Sequence, residues 1–210
     1  MLALVDESVQ FAHGPAHYVV AAATIVDDPA NAREVLRTRL FEDPNRTRPF
    51  HWATEGARIR LAMLRCLTEL NVTIHAGIHH TTGERDQEHA RALLLTDVLL
   101  PQLLDAGVTD LLIESRDNHP GSIGPQDIRD LQTIRNYLRP WRGTPTFSWA
   151  GKDEPLLWVA DAVAGIIREH ADHTNTTWFQ QLRDAGIQAQ ITWIGPDRPA
   201  PKMRQPRLPS

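Results

Sequence analysis

Hydrophobic positions along the chain switch between a strand period and a helix period, and the switches mark out the elements. Residues 2–6 form a short apolar run that ends in Asp6, and residues 17–26, rich in Val, Ile and Ala, read as a second strand. Gly14-Pro15 between them is a turn signal, so the two strands are predicted to form a hairpin. Pro29, preceded by Asp28, opens a predicted helix to about Phe41. Across residues 54–70, Ile59, Ala62, Met63, Cys66, Leu67 and Leu70 recur at helical spacing.

Residues 72–78 read as a strand, residues 84–106 as a long helix stopped by Gly107, and residues 109–113 as a strand closed by Glu114. A helix over 125–138, a strand over 145–149 and a strongly apolar helix over 155–170 follow, the last with Pro155 in its first turn. A short helix over 178–185 and a strand over 189–194 complete the pattern. From Gly195 onward, prolines mixed with Arg198, Lys202, Arg204 and Arg207 predict a disordered tail. Alternating strands and helices predict an α/β layer fold, with one domain over 1–194 and a Pro/Arg-rich tail over 195–210.

Composition narrows the class. Hydrophobic residues at 41% and charged residues at 23% are ordinary globular values and argue against general disorder. The longest apolar stretch, around residues 19–25, falls short of the roughly 20 residues that cross a bilayer, so no membrane span is expected. The first residues lack a basic n-region, so no signal peptide is expected and cytoplasmic location is the default. Cys66 is the lone cysteine, which excludes an intrachain disulfide and a zinc site built on several thiolates. Its place on an apolar stripe predicts a buried thiol.

A net charge of −4 does not mark the whole molecule as a polyanion binder. Among 22 basic residues only Lys152 and Lys202 are lysine, and the arginines supply planar donors suited to phosphate. The chain has no Gly-rich phosphate loop, Gly-x-Ser-x-Gly elbow or kinase signature. Its ten histidines raise the question of zinc. His75 and His79 share a strand face, but four strand residues span about 13 Å and zinc ligands sit ~2 Å from the ion, so the two cannot chelate it together.

Carboxylates with apolar neighbours carry the sharper signal. Asp6 closes Leu2-Ala3-Leu4-Val5, and strand alternation puts it on the face of Leu2 and Leu4. Glu114 closes Leu111-Leu112-Ile113, and Asp161 interrupts the apolar helix among Leu157, Trp158, Ala164 and Gly165. Desolvating such a carboxylate costs several kcal/mol unless a cation or strong donors compensate. Convergence of all three on a divalent metal is one solution, and hard oxygen ligands suit Mg²⁺ or Mn²⁺. The plainer readings are that Asp6 caps the loop at Ser8, that Glu114 pairs with Arg116, and that each acid is structural.

Asp6-Glu7-Ser8 after an apolar strand, Phe50-His51-Trp52 before a helix, and Leu156-Leu157-Trp158-Val159-Ala160-Asp161-Ala162-Val163-Ala164-Gly165 resemble the domain-of-unknown-function family numbered 3800. The resemblance runs over residues 1 to about 170. Val9 stands where that family usually has glycine, and Glu114 where aspartate is more usual, with Asp117 as an alternative middle acid.

The family is similar to the ribonuclease H superfamily, which implies a mixed central sheet flanked by helices. It also implies an acid on the first strand, one on the fourth and one on the last helix, jointly holding two Mg²⁺ or Mn²⁺ ions. Asp6, Glu114 (or Asp117) and Asp161 would be those ligands. His51 is a candidate for phosphate binding or proton transfer, against a plain packing role beside Trp52. Glu7, on the opposite strand face, reads as a structural partner.

The function so implied is metal-dependent hydrolysis of phosphodiester bonds in RNA or DNA, with nucleic acid as the partner. Two alternatives stand beside it. One is a catalytically inactive nuclease-like module that binds nucleic acid or a protein, favoured by the departures at Val9 and Glu114. The other is a hydrolase of a small phosphorylated substrate.

Overall fold

The computed structural model describes residues 1–9, 16–25, 28–40, 48–81, 87–117, 124–140 and 145–194. The expected turn at Gly14-Pro15 and the 195–210 tail lie outside them.

The strands are β1 (Leu2–Ser8), β2 (Ala16–Ile25), β3 (Thr73–Thr81), β4 (Asp110–Glu114), β5 (Thr146–Ala150) and β6 (Gln188–Ile194). They form one mixed sheet in the order β5-β4-β1-β2-β3-β6. β1, β2 and β3 pair antiparallel in sequence. β4 then returns parallel to β1, β5 parallel to β4, and β6 parallel to β3 on the far edge. The mixed, helix-flanked α/β sheet expected for a ribonuclease H-like chain is therefore present.

The helices are α1 (Pro29–Leu40), α2 (Ala57–Glu69), α3 (Gln87–Leu93), α4 (Leu100–Asp105), α5 (Pro125–Leu138), α6 (Pro155–Ala171) and α7 (Thr177–Asp184). Strand alternation divides the core between two sheet faces. Leu4, Val19, Ile74, Ala76 and Leu112 pack with α6 on one face, together with α1 and α2. Ala3, Val5, Val20, Leu111 and Ile113 pack with Leu94, Val98 and Leu99 on the other. α6 crosses the first face and is buried nearly all round, with Asp161 and His170 its partly exposed positions. This is why its sequence is apolar without a polar stripe.

Two helices differ from expectation. The long helix anticipated over 84–106 is divided in its described part: α3 and α4 flank a π-helical segment, Leu94–Leu99. Pro101 sits in the first turn of α4, where it supplies no amide to an intrahelical bond. Just before it, the Leu100 amide reaches back five residues to the Leu95 carbonyl. The widened turn also lies hard against the sheet, because a Cβ on Gly77 would come within 2.7 Å of Leu94 Cδ2.

The helix expected from Thr54 starts instead at Ala57, after a separate 3₁₀ turn, Trp52–Thr54. Gly56 lies extended between the two. That separate turn carries the Trp52 amide used below.

Candidate functional site

β1, β4 and β5 run parallel and end side by side, and ligand sites in open α/β sheets form outside the carboxyl ends of such strands. Val5 pairs with Ile113 and Glu114 with Ala150, so Asp6 and Glu114 follow one another across neighbouring strand ends. Both stand on the face of Leu4 and Leu112, the side covered by α6. Asp6 is 6% exposed and accepts the Glu7 amide at 2.6 Å. Burial pushes its carboxyl well above the usual carboxylate range, and the negative charges of Glu114 and Asp161 push it further. A hydrogen bond with the Glu114 carboxyl acts in the same direction, while Lys152 opposes the rise.

Asp161 comes to the site from α6. Its Oδ2 accepts the Trp52 amide at 2.6 Å, and its Oδ1 lies 2.9 Å from His51 Nδ1. The carboxylate that interrupts the apolar helix is thus paired, by groups 109 and 110 residues away in sequence. His51 remains 43% exposed on its side chain, so its imidazole reaches solvent beside the acid.

The turn bearing His51 and Trp52 is clamped onto α6. Trp52 Nε1 donates to Glu169 at 3.1 Å. The Arg60 guanidinium donates twice to the Trp52 carbonyl, at 3.1 and 2.9 Å, and pairs with Glu169 at 3.2 Å. Arg60 also lies over the Trp52 ring, 4.6 Å from its centroid, and Trp178 meets that ring edge-on at 5.6 Å.

Asp117 faces elsewhere. Its Oδ2 accepts the amides of Gln126 and Asp127 at 2.6 and 3.1 Å, satisfying donors in the first turn of α5. Asp127 answers by accepting the Arg116 amide and the Ser115 hydroxyl. Glu114 does not pair with Arg116, which bonds Glu88 and Asp130 instead. Its partner is Lys152, whose Nζ stands 3.5 Å from Glu114 Oε1. Glu7 points to the other sheet face and forms an ion pair with the buried Arg91, which also holds Asp130.

Sequence reading missed Lys152, and missed Arg60, Glu169 and Gly165 as the supports of Trp52. The scarcity of lysine was the available signal for Lys152. Nothing local marks Glu169 or Gly165, because their contacts with Trp52 join segments far apart in the chain, whereas Arg60 reaches Trp52 from only 8 residues on.

Two neighbouring carboxyls, with a third close enough to raise the Asp6 carboxyl further, are oxygen donors of the kind that suits a hard divalent cation. As they stand, no group of three or more His, Cys, Asp or Glu among the described residues is close enough to hold one ion. No described helix is long and apolar enough to cross a membrane.

No family model matches the chain, so the resemblance to the family numbered 3800 rests on the quoted motifs alone. No curated protein matches it either. Among solved structures it is similar to "Crystal structure of the ribonuclease H2 from Pyrococcus horikoshii OT3", at 14% identity and a TM-score of 0.45. That match covers 84% of this chain and 76% of the other.

Proposed function

We propose that this chain is a metal-dependent nuclease that hydrolyses phosphodiester bonds in RNA or DNA, with Asp6, Glu114 and Asp161 as its acidic residues. The observation that carries the reading is geometric: Asp6 and Glu114 end neighbouring parallel strands on the face covered by α6, the helix that brings Asp161, and burial with the charges of Glu114 and Asp161 raises the Asp6 carboxyl. Acids from β4 and α6 thus act electrostatically on the Asp6 carboxyl of β1. Such a cluster is disfavoured without a counter-cation and favourable with one.

Asp6, Glu114 and Asp161 would hold Mg²⁺ or Mn²⁺, which would supply an activated water and charge stabilisation for the leaving oxygen. The protein's own residues do the rest. The Trp52 amide and His51 fix the rotamer of Asp161. The exposed side of His51 is available to hold or move a proton next to it. Glu114 would serve as the middle acid, a choice supported by the engagement of Asp117 with the amides at the start of α5.

The test is Asp161→Asn. Asparagine keeps an oxygen for the Trp52 amide, so the fold should persist while cleavage of single-stranded or structured nucleic acid in Mn²⁺ is abolished. Equal, non-zero cleavage by both proteins would sink the assignment.

One observation favours a second reading. Glu114 is paired with the Lys152 ammonium at 3.5 Å. An inactive nuclease-like module that binds nucleic acid or a protein partner would leave wild type and Asp161→Asn equally silent in every cleavage assay.

A further inference from the structure

Lys152 lies on the turn between β5 and α6, two residues past the end of the third parallel strand. It therefore extends the row already formed by Asp6 and Glu114 along the strand ends. Its backbone is fixed. The Trp158 indole donates to the Lys152 carbonyl at 2.8 Å, and the Glu154 amide closes the turn onto the Gly151 carbonyl at 3.0 Å. Trp158 is itself buried in the core, so the base of the side chain is anchored while its tip is not.

The Lys152 side chain is half exposed at 54%, against 12% for the side chain of Glu114, whose carboxylate its ammonium faces at 3.5 Å. An ion pair that open to water adds little to stability, so its effect is mainly on the charge of the site. Its positive charge reaches as far as Asp6 and lowers that carboxyl against the pull of the other acids. A lysine ammonium has three donors on a flexible stem, and a 3.5 Å approach to one oxygen leaves it free to turn toward another anion.

We propose that Lys152 is the phosphate-contacting residue of this site, its ammonium passing from Glu114 to a phosphate oxygen of the bound nucleic acid strand. The inference rests on the nuclease-like reading above and adds to it the group that grips the polyanion. Proton count does not change in the exchange: one charge-assisted hydrogen bond is replaced by another.

The experiment is equilibrium binding of a fluorescent single-stranded oligonucleotide in Ca²⁺, followed by anisotropy over a series of KCl concentrations. Wild type, Lys152→Ala, Lys152→Gln and Lys152→Arg are compared, each checked by thermal melt. Losing one phosphate contact should weaken binding about tenfold. It should also flatten the slope of log K against log salt by about 0.7 in Lys152→Ala and Lys152→Gln. Lys152→Arg should keep the wild-type slope.

Wild-type affinity and slope in Lys152→Ala and Lys152→Gln would overturn the proposal and leave Lys152 as a surface partner of Glu114. Binding that depends on Lys152 in a protein that cuts nothing would uphold the contact and remove the nuclease reading. A folded wild type that binds no oligonucleotide would overturn both.

Discussion

Trp52 sits in a notch that only Gly165 leaves open: a Cβ on that glycine would lie 2.4 Å from Trp52 Cδ1 and 2.8 Å from Cγ. One helical turn earlier on α6, Asp161 accepts the Trp52 amide, and one turn later Glu169 accepts the indole N–H. A single helix face therefore seats the indole and receives both of its residue's N–H groups. The acid's orientation is coupled to how the tryptophan packs.

Gly165→Ala should displace Trp52, because the colliding atoms belong to a buried ring rather than to a flexible chain end. Overpacking of this kind costs about 1–3 kcal/mol, to be read from the urea midpoint. Cleavage should fall by more than the loss of folded protein explains, since the Trp52 amide moves away from Asp161. Unchanged stability would mean that the notch has slack.

The three acids of the candidate site stand out in sequence, and the reason is physical. Asp6 and Glu114 each close an apolar strand, and Asp161 breaks an apolar helix, so each departs from a periodic pattern that is otherwise kept. What could not be read were the groups that answer those charges. The partners of Asp161 lie 109 and 110 residues away on a 3₁₀ turn, and the Lys152 pairing depends on where a turn aims a side chain. The π-helical segment escaped for a different reason: Leu94, Val98 and Leu99 keep a helix-like apolar spacing that masks the break announced by Pro101.

Asp6 makes stability depend on pH. Its carboxyl is raised in the folded chain, so above the ordinary value of 3.8 the folded state keeps a proton that the unfolded state has lost. The unfolded chain then binds fewer protons, and stability falls as pH rises from that value through the raised one, levelling beyond it. Asp6→Asn should remove this slope. Millimolar Mn²⁺ or Mg²⁺ should offset the loss in wild type at neutral pH, through binding to the folded state. Melts across this range in chelator and in metal are the check, and a wild-type profile parallel to that of Asp6→Asn would refute the linkage.

On the opposite sheet face, Arg91 is 2% exposed and joins Glu7 of β1 to Asp130 of α5. Arg91→Met removes the cation and leaves two carboxylates behind, with Arg116 still reaching Asp130 at 3.1 Å. Breaking one side of such a buried network costs about 3–5 kcal/mol. The double variant Arg91→Met, Glu7→Gln should recover part of that loss, as expected for contacting residues. A full additive cost in the urea midpoints would show that Glu7 does not depend on Arg91.

The roles of the two neighbouring acids, Glu114 and Asp117, should separate cleanly by substitution. Asp117 Oδ2 holds two amides in the first turn of α5, and Gly124 lets it come so near that a Cβ there would lie 2.1 Å from Asp117 Cβ. Asp117→Ala removes that cap and should cost about 1 kcal/mol, within the range for loss of a helix N-terminal acceptor. Cleavage per folded molecule should change little, because the carboxylate is engaged by amides at the start of α5. Glu114→Gln should do the reverse. It removes a charge beside the raised Asp6 carboxyl, so the metal-free fold should hold its stability or gain slightly, while cleavage in Mn²⁺ and stabilisation by Mn²⁺ are both lost. Parallel urea midpoints and cleavage assays on the two variants decide the matter. Loss of cleavage in Asp117→Ala with full activity in Glu114→Gln would make Asp117 the middle acid, and would require its hold on α5 to be released when metal binds.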